Sequence, residues 1–491
     1  MADDYQPVVL VIGTGLGGVA VAIELGRAGF TEVTLLEKAG EIGGVWRENT
    51  YPGAACDVPS PLYTYSFEPN DWSKRYAGQA EIHDYIKRTA SKYGVDRQIR
   101  FNTEVTEAEF DAVHRRWTIQ TSAGEVFEAD ILITAVGQLS RPKLPQIPGL
   151  GSFAGPAFHS AQWDHDVDLA GKRVAVIGTG ASAIQFVPEL QQTVGELTVF
   201  QRSAPYIWPK LETDYGERHG RLRRRIPLVR KASRRVWFQF GETFAPGMLG
   251  NKALATVLTK VALRQLKKDV KDAHLRVQLT PDYPIGCKRV LFSNAYLPAL
   301  GKHNVTVVTE EVEEITAGGV RTATGVREAD VLVYGTGFLA QDFLSPLKLR
   351  GADGGEIHDV WSEGGRAYLG MTVPGFPNLF LMYGPNTNLG AGSIIDMLEA
   401  QAGYIAQATT LLANQGPCSC IEVRPEVEQA YDDELQSRME KAVWGSCSNW
   451  YRNAAGRVVT NWPGTVSEYL RRTEHLNTGD FELSSAEGIR R

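Results

Sequence analysis

Apolar residues along the chain gather into short continuous blocks of the kind that strands buried on both faces require. The first block, residues 8–12, is followed by closely spaced glycines and then by an apolar stretch of helical length, and a second strand-like block ends at Glu37. The same order recurs in "KRVAVIGTGASAIQFVPELQQTVGELTVFQR", whose second strand-like block ends at Arg202. Each series has a further apolar block ending in a small-residue turn, "ADILITAVG" (129–137) in one and "ADVLVYGTG" (329–337) in the other. Strand and helix patterns alternating in this way predict an α/β fold with parallel sheets, built twice.

The glycines between strand and helix give both units their chemistry. Gly13, Gly15 and Gly18 stand at GxGxxG spacing. The first makes the tight turn, the second lets backbone approach a pyrophosphate, and the third lets the helix pack on the strand. The helix N-terminus then offers amide N–H groups to phosphate. Glu37, 24 residues after Gly13, stands where a carboxylate accepts hydrogen bonds from a ribose 2′-hydroxyl. In the second unit Gly178, Gly180 and Ala183 take the three positions, with Thr179, Ala181 and Ser182 completing the phosphate-facing turn. There Arg202 replaces the acid, and a guanidinium binds a 2′-phosphate that a carboxylate would repel. The first unit therefore reads as a site for FAD or NAD and the second as one for NADP. Two Rossmann-like dinucleotide-binding domains in one chain imply hydride transfer between the two cofactors.

Composition narrows the class. A length of 491 residues suggests two to three domains, and a formal net charge of -6 gives no reason to expect nucleic acid as a partner. The run of residues 8–25 follows the acidic "MADDYQP" and contains four glycines, so it does not read as a secretory signal, and no stretch is long enough to span a bilayer. Five cysteines, Cys56, Cys287, Cys418, Cys420 and Cys447, include no pair at CxxC or CxxxxC spacing. Free or buried thiols in a reducing cytoplasm are expected, with no metal site, disulfide framework or redox dithiol.

A reduced flavin has three outlets: a cysteine pair, a protein acceptor or O₂. The cysteine spacing argues against the first. "FAGPAFHSAQWD" bears on the other two, because Phe153, Gly155, His159, Trp163 and Asp164 match FxGxxxHxxxW[PD] at every fixed position. On this stretch, both glycine loops and the segments below, the chain resembles the type I Baeyer–Villiger monooxygenases over nearly its whole length. The related N- and S-oxidising flavin monooxygenases and an electron-transfer flavoprotein reductase are the alternatives.

The resemblance implies FAD and NADPH as cofactors, a small ketone and O₂ as substrates, and an ester or lactone as product, formed through an anionic C4a-peroxyflavin. The fingerprint His159 is implied to couple domain motion to cofactor use, with packing at a domain junction as the equal alternative. "PDYPIGCKRVLFSNAYLPAL" is similar to the family's segment that carries the active-site arginine, here Arg289, and places Lys288 at the NADP 2′-phosphate. "YPGAACD" is similar to the segment whose aspartate, here Asp57, pairs with that arginine. "GGVW" (Gly43, Gly44, Val45, Trp46) is implied to lie over the flavin, and Asn386 and Asn388 in "YGPNTN" to be polar contacts to the cofactor, with a purely turn-forming role as the equal alternative. The resemblance implies that residues 446–464 belong to a mobile loop over NADP and substrate, with packing of their aromatics on the protein body as the equal alternative.

The domain plan that follows is an FAD domain of residues 1–150 and 371–491, an NADP domain of 151–207 and 285–370, and a helical subdomain of 208–284. In that subdomain, nine basic and no acidic residues fall between Arg218 and Arg235. A helix starting at Pro227 would align Val229, Ala232, Val236 and Phe240 in one apolar stripe. The favoured expectation is that this helix packs on the NADP domain; a helix lying on an anionic membrane surface is the alternative.

Overall fold

The computed structural model describes residues 5–216 and 226–485. In chain order the elements that position the site begin with β1 (Val9–Ile12), α1 (Leu16–Arg27) and β2 (Val33–Leu36). These are followed by β3 (Ile99–Arg100), β4 (Ile131–Thr134), β5 (Ala157–His159) and β6 (Arg173–Ile177). Then come α2 (Ala183–Thr193), β7 (Glu196–Phe200), α3 (Pro227–Met248) and α4 (Lys252–Asp269). The last are β8 (Val305–Val308), β9 (Val331–Tyr334), β10 (Leu379–Leu381) and α5 (Ile394–Gln415).

Two five-stranded parallel sheets result, in the orders β10-β4-β1-β2-β3 and β8-β7-β6-β9-β5. In both, the first strand of the nucleotide unit lies at the centre, between the unit's second strand and a later strand, β4 or β9, so the strand order reverses at its carboxyl end. That crevice is where doubly wound sheets bind ligands. Every residue of β1 is buried, as its unbroken apolar run requires. A two-domain α/β fold is therefore observed.

Three features differ from the expectations. The chain rejoins the first domain before residue 371: Lys348–Arg350 pairs with Val105–Asp111, and Phe343, Leu344 and Leu347 pack with Leu10 and Trp117. These side chains are apolar where a surface crossover would be polar, and that places them in the first core. Next, α3 starts at Pro227 as expected but docks on the first domain. Arg234 donates to the Leu62 and Thr64 carbonyls and pairs with Asp396, while Phe238 packs on that domain's core. The second domain is reached by α4 through Leu266 and by the C-terminal end of α3, where Phe244 packs with Tyr206 and Ile285. The first part of the basic run, residues 217–225, lies outside the described residues. Finally, Cys287 and Cys447 form a disulfide across 160 residues, with Cα atoms 6.2 Å apart, leaving Cys56, Cys418 and Cys420 free. Spacing along the chain could not disclose a pair that only the tertiary fold brings together.

Candidate functional site

A cavity of about 460 Å³ opens at the carboxyl end of β1. Gly13, Gly15, Glu37, Gly43, Gly44, Val45, Trp46 and Asp57 line it from the first domain; Ala181, Ser182 and Arg289 line it from the second. Sterics exclude a side chain at several of the glycines, though not at Gly15, where a methyl would come no closer than 3.7 Å to the Gly44 Cα. A methyl at Gly13 (φ +102) would lie 2.7 Å from the Ala135 carbonyl, and one at Gly18 would lie 2.0 Å from the Gly13 carbonyl. At Gly44 (φ +54) a methyl would come within 3.1 Å of the Gly15 Cα, so the "GGVW" turn is pressed against the nucleotide loop. Gly43 (φ +140) has a different reason: a methyl there would meet the His83 ring at 2.6 Å.

Glu37 sits in the crevice, 5% exposed, with its carboxylate already held. Oε2 accepts from the Thr14 backbone and hydroxyl at 3.0 and 2.7 Å, and Oε1 accepts from Ala39 N–H and Arg47 at 3.0 and 3.2 Å. Trp46 lies edge-on to Tyr63, 5.7 Å between ring centres, and donates to its hydroxyl at 2.9 Å.

Asp57 and Arg289, 232 residues apart, form a charged pair at the cavity wall. Arg289 Nη2 donates to both carboxylate oxygens at 2.9 and 2.8 Å, and Nε to Oδ2 at 3.1 Å. The Asp57 charge holds the guanidinium even further above its ordinary pKa, so it remains a fixed cation. With 37% of the Arg289 side chain exposed and its site among the cavity walls, the remaining donors are open to a ligand there. Tyr451 is buried close by, and burial pushes its hydroxyl up to about 12.

The Asp57 segment is tied to the second domain by a residue that sequence reasoning missed. Gln185 on α2 accepts from the Tyr51 hydroxyl (2.9 Å) and from Ala55 N–H (3.4 Å), and donates to the Ala55 carbonyl (2.9 Å). Tyr51 also lies edge-on to Phe186 of the same helix. The only signal for Gln185 was a lone polar residue within an apolar helix start, which by itself does not indicate a partner.

Around the second loop, a methyl at Gly178 (φ +110) would lie 2.3 Å from the Gly335 carbonyl, the counterpart of the Gly13 approach. Gly180 has no such neighbour closer than 3.9 Å. Thr179 donates to the Ser203 carbonyl at 3.2 Å. Lys288 donates to the Ser203 hydroxyl at 2.6 Å, and burial together with the Arg202 charge lowers its pKa. Arg202, exposed, and Lys288, half-buried, thus converge beside Ser203 at the end of β7.

The fingerprint is part of the second domain itself. Phe158 and His159 lie in its edge strand β5, and Phe158 and Trp163 pack on one another at 5.2 Å, with Trp163 5.5 Å from Phe186. A methyl on Gly155 would meet the Asp330 carbonyl at 2.4 Å, with the Phe153 ring next at 2.8 Å. Asp164 accepts from the Asp166 N–H in a local turn. His159 is 2% exposed, its Nδ1 accepts from Ala161 N–H at 3.1 Å, and burial lowers its pKa. Phe186 therefore contacts both Trp163 and Tyr51. Phe153, Gly155, His159 and Trp163 are thus held by packing, while Asp164 is exposed in its turn.

Asn386 does not reach the cavity. Its side chain donates to the Val458 and Asn461 carbonyls at 2.8 and 3.0 Å and anchors the C-terminal segment. Its φ of +56 turns it inward, as asparagine tolerates. Asn388, two residues on, lines the cavity instead, accepting from the Tyr383 hydroxyl at 2.8 Å.

Comparison with known proteins agrees with this geometry. Residues 10–217 match the family described as pyridine nucleotide-disulphide oxidoreductase. A Baeyer–Villiger monooxygenase of Streptomyces coelicolor is 41% identical over 97% of this chain and 92% of its own. One of Pseudomonas aeruginosa is 40% identical over 97% and 91%. Among solved structures, an oxidised steroid monooxygenase bound to NADP superposes with a TM-score of 0.88 at 30% identity, covering 98% of this chain and 99% of that one. A cyclohexanone monooxygenase from Rhodococcus sp. Phi1 bound to NADP⁺ gives 0.88 at 27%, covering 98% and 100%. The chain belongs to the Baeyer–Villiger monooxygenases, flavoprotein oxidoreductases that use NADP.

Proposed function

We propose that the protein converts a small ketone, NADPH, a proton and O₂ into an ester or lactone, NADP⁺ and water, with FAD in the first domain and NADPH at the second, in the cytoplasm. The residues present fit both groups. The Gly13–Gly18 loop and the Gly44 approach leave backbone-lined space that any side chain would fill, and Arg202, Lys288 and Ser203 gather the donors that a 2′-phosphate takes. When bound, the flavin accepts hydride from NADPH and activates O₂.

The chain's own contribution centres on Arg289. Addition to a ketone carbonyl turns a neutral oxygen into an alkoxide, and a preorganised guanidinium stabilises that charge where it develops. Asp57 orients Arg289 through three hydrogen bonds and offsets part of its charge, so the donors not facing Asp57 are aimed into the cavity. Gln185 fixes the backbone that carries Asp57. The Asp57–Arg289 pair at the wall of the cavity is the observation that carries this reading.

Turnover of the purified holoenzyme under ¹⁸O₂, with NADPH and a panel of ketones and thioethers, tests it by GC–MS. Labelled esters or lactones are expected; labelled sulfoxides alone would assign the protein to S-oxidation instead. Arg289→Ala should retain FAD and its reduction by NADPH while ester formation falls by at least about 100-fold. Loss of the reduction step itself would mean Arg289 serves NADPH binding and not the oxygenation.

A further inference from the structure

The sequence placed an apolar stripe on α3, and the expectation was that this stripe packs inward. It does the opposite. The inward face joins polar anchors to apolar packing: Arg234 is clamped by the Leu62 and Thr64 carbonyls and Asp396, Glu242 accepts from the Val466 N–H at 2.9 Å, and Phe238 packs on the first core. The outward face follows the i, i+4 spacing of one helical side and carries Leu228, Val236 and Phe240, exposed by 73, 63 and 40%, with Lys231 and Arg235 among them. From residue 228 to 240 this face runs about 18 Å along the helix.

Helix α4, which packs against α3, repeats the composition on its own exposed face. Val257 and Leu263 are 55 and 38% exposed, accompanied by Lys260, Arg264, Lys267 and Lys268. Neither exposed face holds a carboxylate. The acids of the two helices are Glu242, engaged as above, and Asp269, which accepts from Gln265 at 2.6 Å. Residues 208–284 hold 17 Lys and Arg against 7 Asp and Glu, in a chain whose formal net charge is -6. Positive charge is therefore concentrated on this one insertion.

We propose that the outward face of α3, backed by the cationic face of α4, is a peripheral docking surface for an anionic phospholipid bilayer. Leu228, Val236 and Phe240 would enter the boundary between headgroups and acyl chains while Lys231 and Arg235 meet the phosphates. No helix among the described residues is long and apolar enough to cross a membrane. Charge selects this occupant over a second copy of the chain, whose identical face would set Lys231 and Arg235 against like charges. An acidic soluble partner would satisfy the cations but leave the three apolar side chains without a matching phase. The proposal does not rest on the reaction above.

Co-sedimentation of the holoenzyme with phosphatidylcholine vesicles, with and without 30% phosphatidylglycerol, is the test. At low salt the bound fraction should be at least about tenfold higher on the anionic vesicles and should fall toward the neutral-vesicle level in about 0.5 M NaCl. Lys231→Glu/Arg235→Glu should abolish most of this binding, and Val236→Glu/Phe240→Glu should weaken it with the cations intact. All four positions are exposed and outside the catalytic cavity, so retained flavin absorbance and NADPH oxidation will verify folding. Equal binding to both vesicles, no binding to either, or binding indifferent to both double variants would overturn the proposal. So would a concentration-dependent dimer, without lipid, that Phe240→Glu dissociates, since the face would then be covered by a second copy.

Discussion

The two nucleotide units solve one packing problem with opposite residues. In the first, helix α1 brings Gly18 against the turn after β4, where Ala135 stands; a methyl at Gly18 would lie 3.6 Å from the Ala135 Cβ. In the second, helix α2 brings Ala183 against the turn after β9, where Gly335 stands; a methyl at Gly335 would lie 3.4 Å from the Ala183 Cβ. Each contact contains one methyl, on the strand turn in one unit and on the helix in the other. The units are not interchangeable, however. A methyl at Gly18 also meets the Gly13 carbonyl at 2.0 Å, so the first loop is wound more tightly onto its own helix than the second. A third-position alanine therefore does not by itself weaken the case for a nucleotide loop.

The sharpest way to break this comparison is to exchange the residues. Gly18→Ala should cost several kcal/mol, because the clash is with backbone that cannot turn aside, and the purified protein should lose its flavin absorbance. Ala135→Gly added to it should give no rescue, since Ala135 is not the obstacle. Ala183→Gly should cost only about 1 kcal/mol of helix propensity and leave both cofactors bound. Thermal unfolding and flavin content measure both effects. Equal losses in the two units would mean that the loops are equivalent and that the tighter winding has no consequence.

Next in size is the charge at the end of the second strand of each unit. Glu37 is held by Thr14 and Arg47, whereas Arg202 stands exposed beside Lys288. Arg202→Ala should raise the KM for NADPH by about 10- to 100-fold, the value of a charge-assisted hydrogen bond, and change that for NADH far less. Steady-state kinetics with both coenzymes reads the difference. A parallel rise for NADPH and NADH would move the 2′-phosphate away from Arg202.

A smaller effect is expected where the units touch. Gln185→Ala removes hydrogen bonds to Tyr51 and Ala55 and loosens the Asp57 backbone without altering either loop. The ester formed per NADPH should fall by about fivefold, with hydrogen peroxide making up the difference, while flavin reduction is unchanged. An unchanged ratio of ester to peroxide would show that Asp57 needs no support from α2.

Both units were legible in the sequence because they are local: strand, loop, helix and second strand lie within about 30 residues, and their glycines follow from sterics alone. Gln185 and the Cys287–Cys447 pair were not, since their meaning lies in partners more than 100 residues away. Asp57 and Arg289 are just as distant from one another and were found through family resemblance, not through spacing. Asn386 was misplaced for a related reason. A turn such as "GPNTN" indicates that side chains project, but not which of two asparagines, one step of two residues apart, faces the ligand. The stripe on α3 was identified correctly as a periodicity, yet periodicity does not say which side of a helix finds a partner.

The smallest predicted effect comes from the sheet edges. Beside β4 the outer strand is β10, where Leu381 lies in register with Thr134; beside β9 it is β5, where His159 lies in register with Tyr334. The two edge positions correspond, and one is leucine while the other is a histidine that burial makes reluctant to protonate. In the unfolded chain that histidine titrates normally, so below its ordinary pKa the unfolded state binds more protons than the folded one. Its contribution is thus favourable above that pKa and is lost as pH falls through the folded-state value. Urea unfolding at pH 7.5 and at pH 5.5 should show wild type losing stability on the acid side, and His159→Leu, which copies the first unit, losing measurably less. The other groups titrating in that range are the same in both proteins, so the difference between the two pH profiles isolates His159. Identical profiles would mean that a polar neighbour, such as the Gly337 backbone, compensates the imidazolium as well as water does.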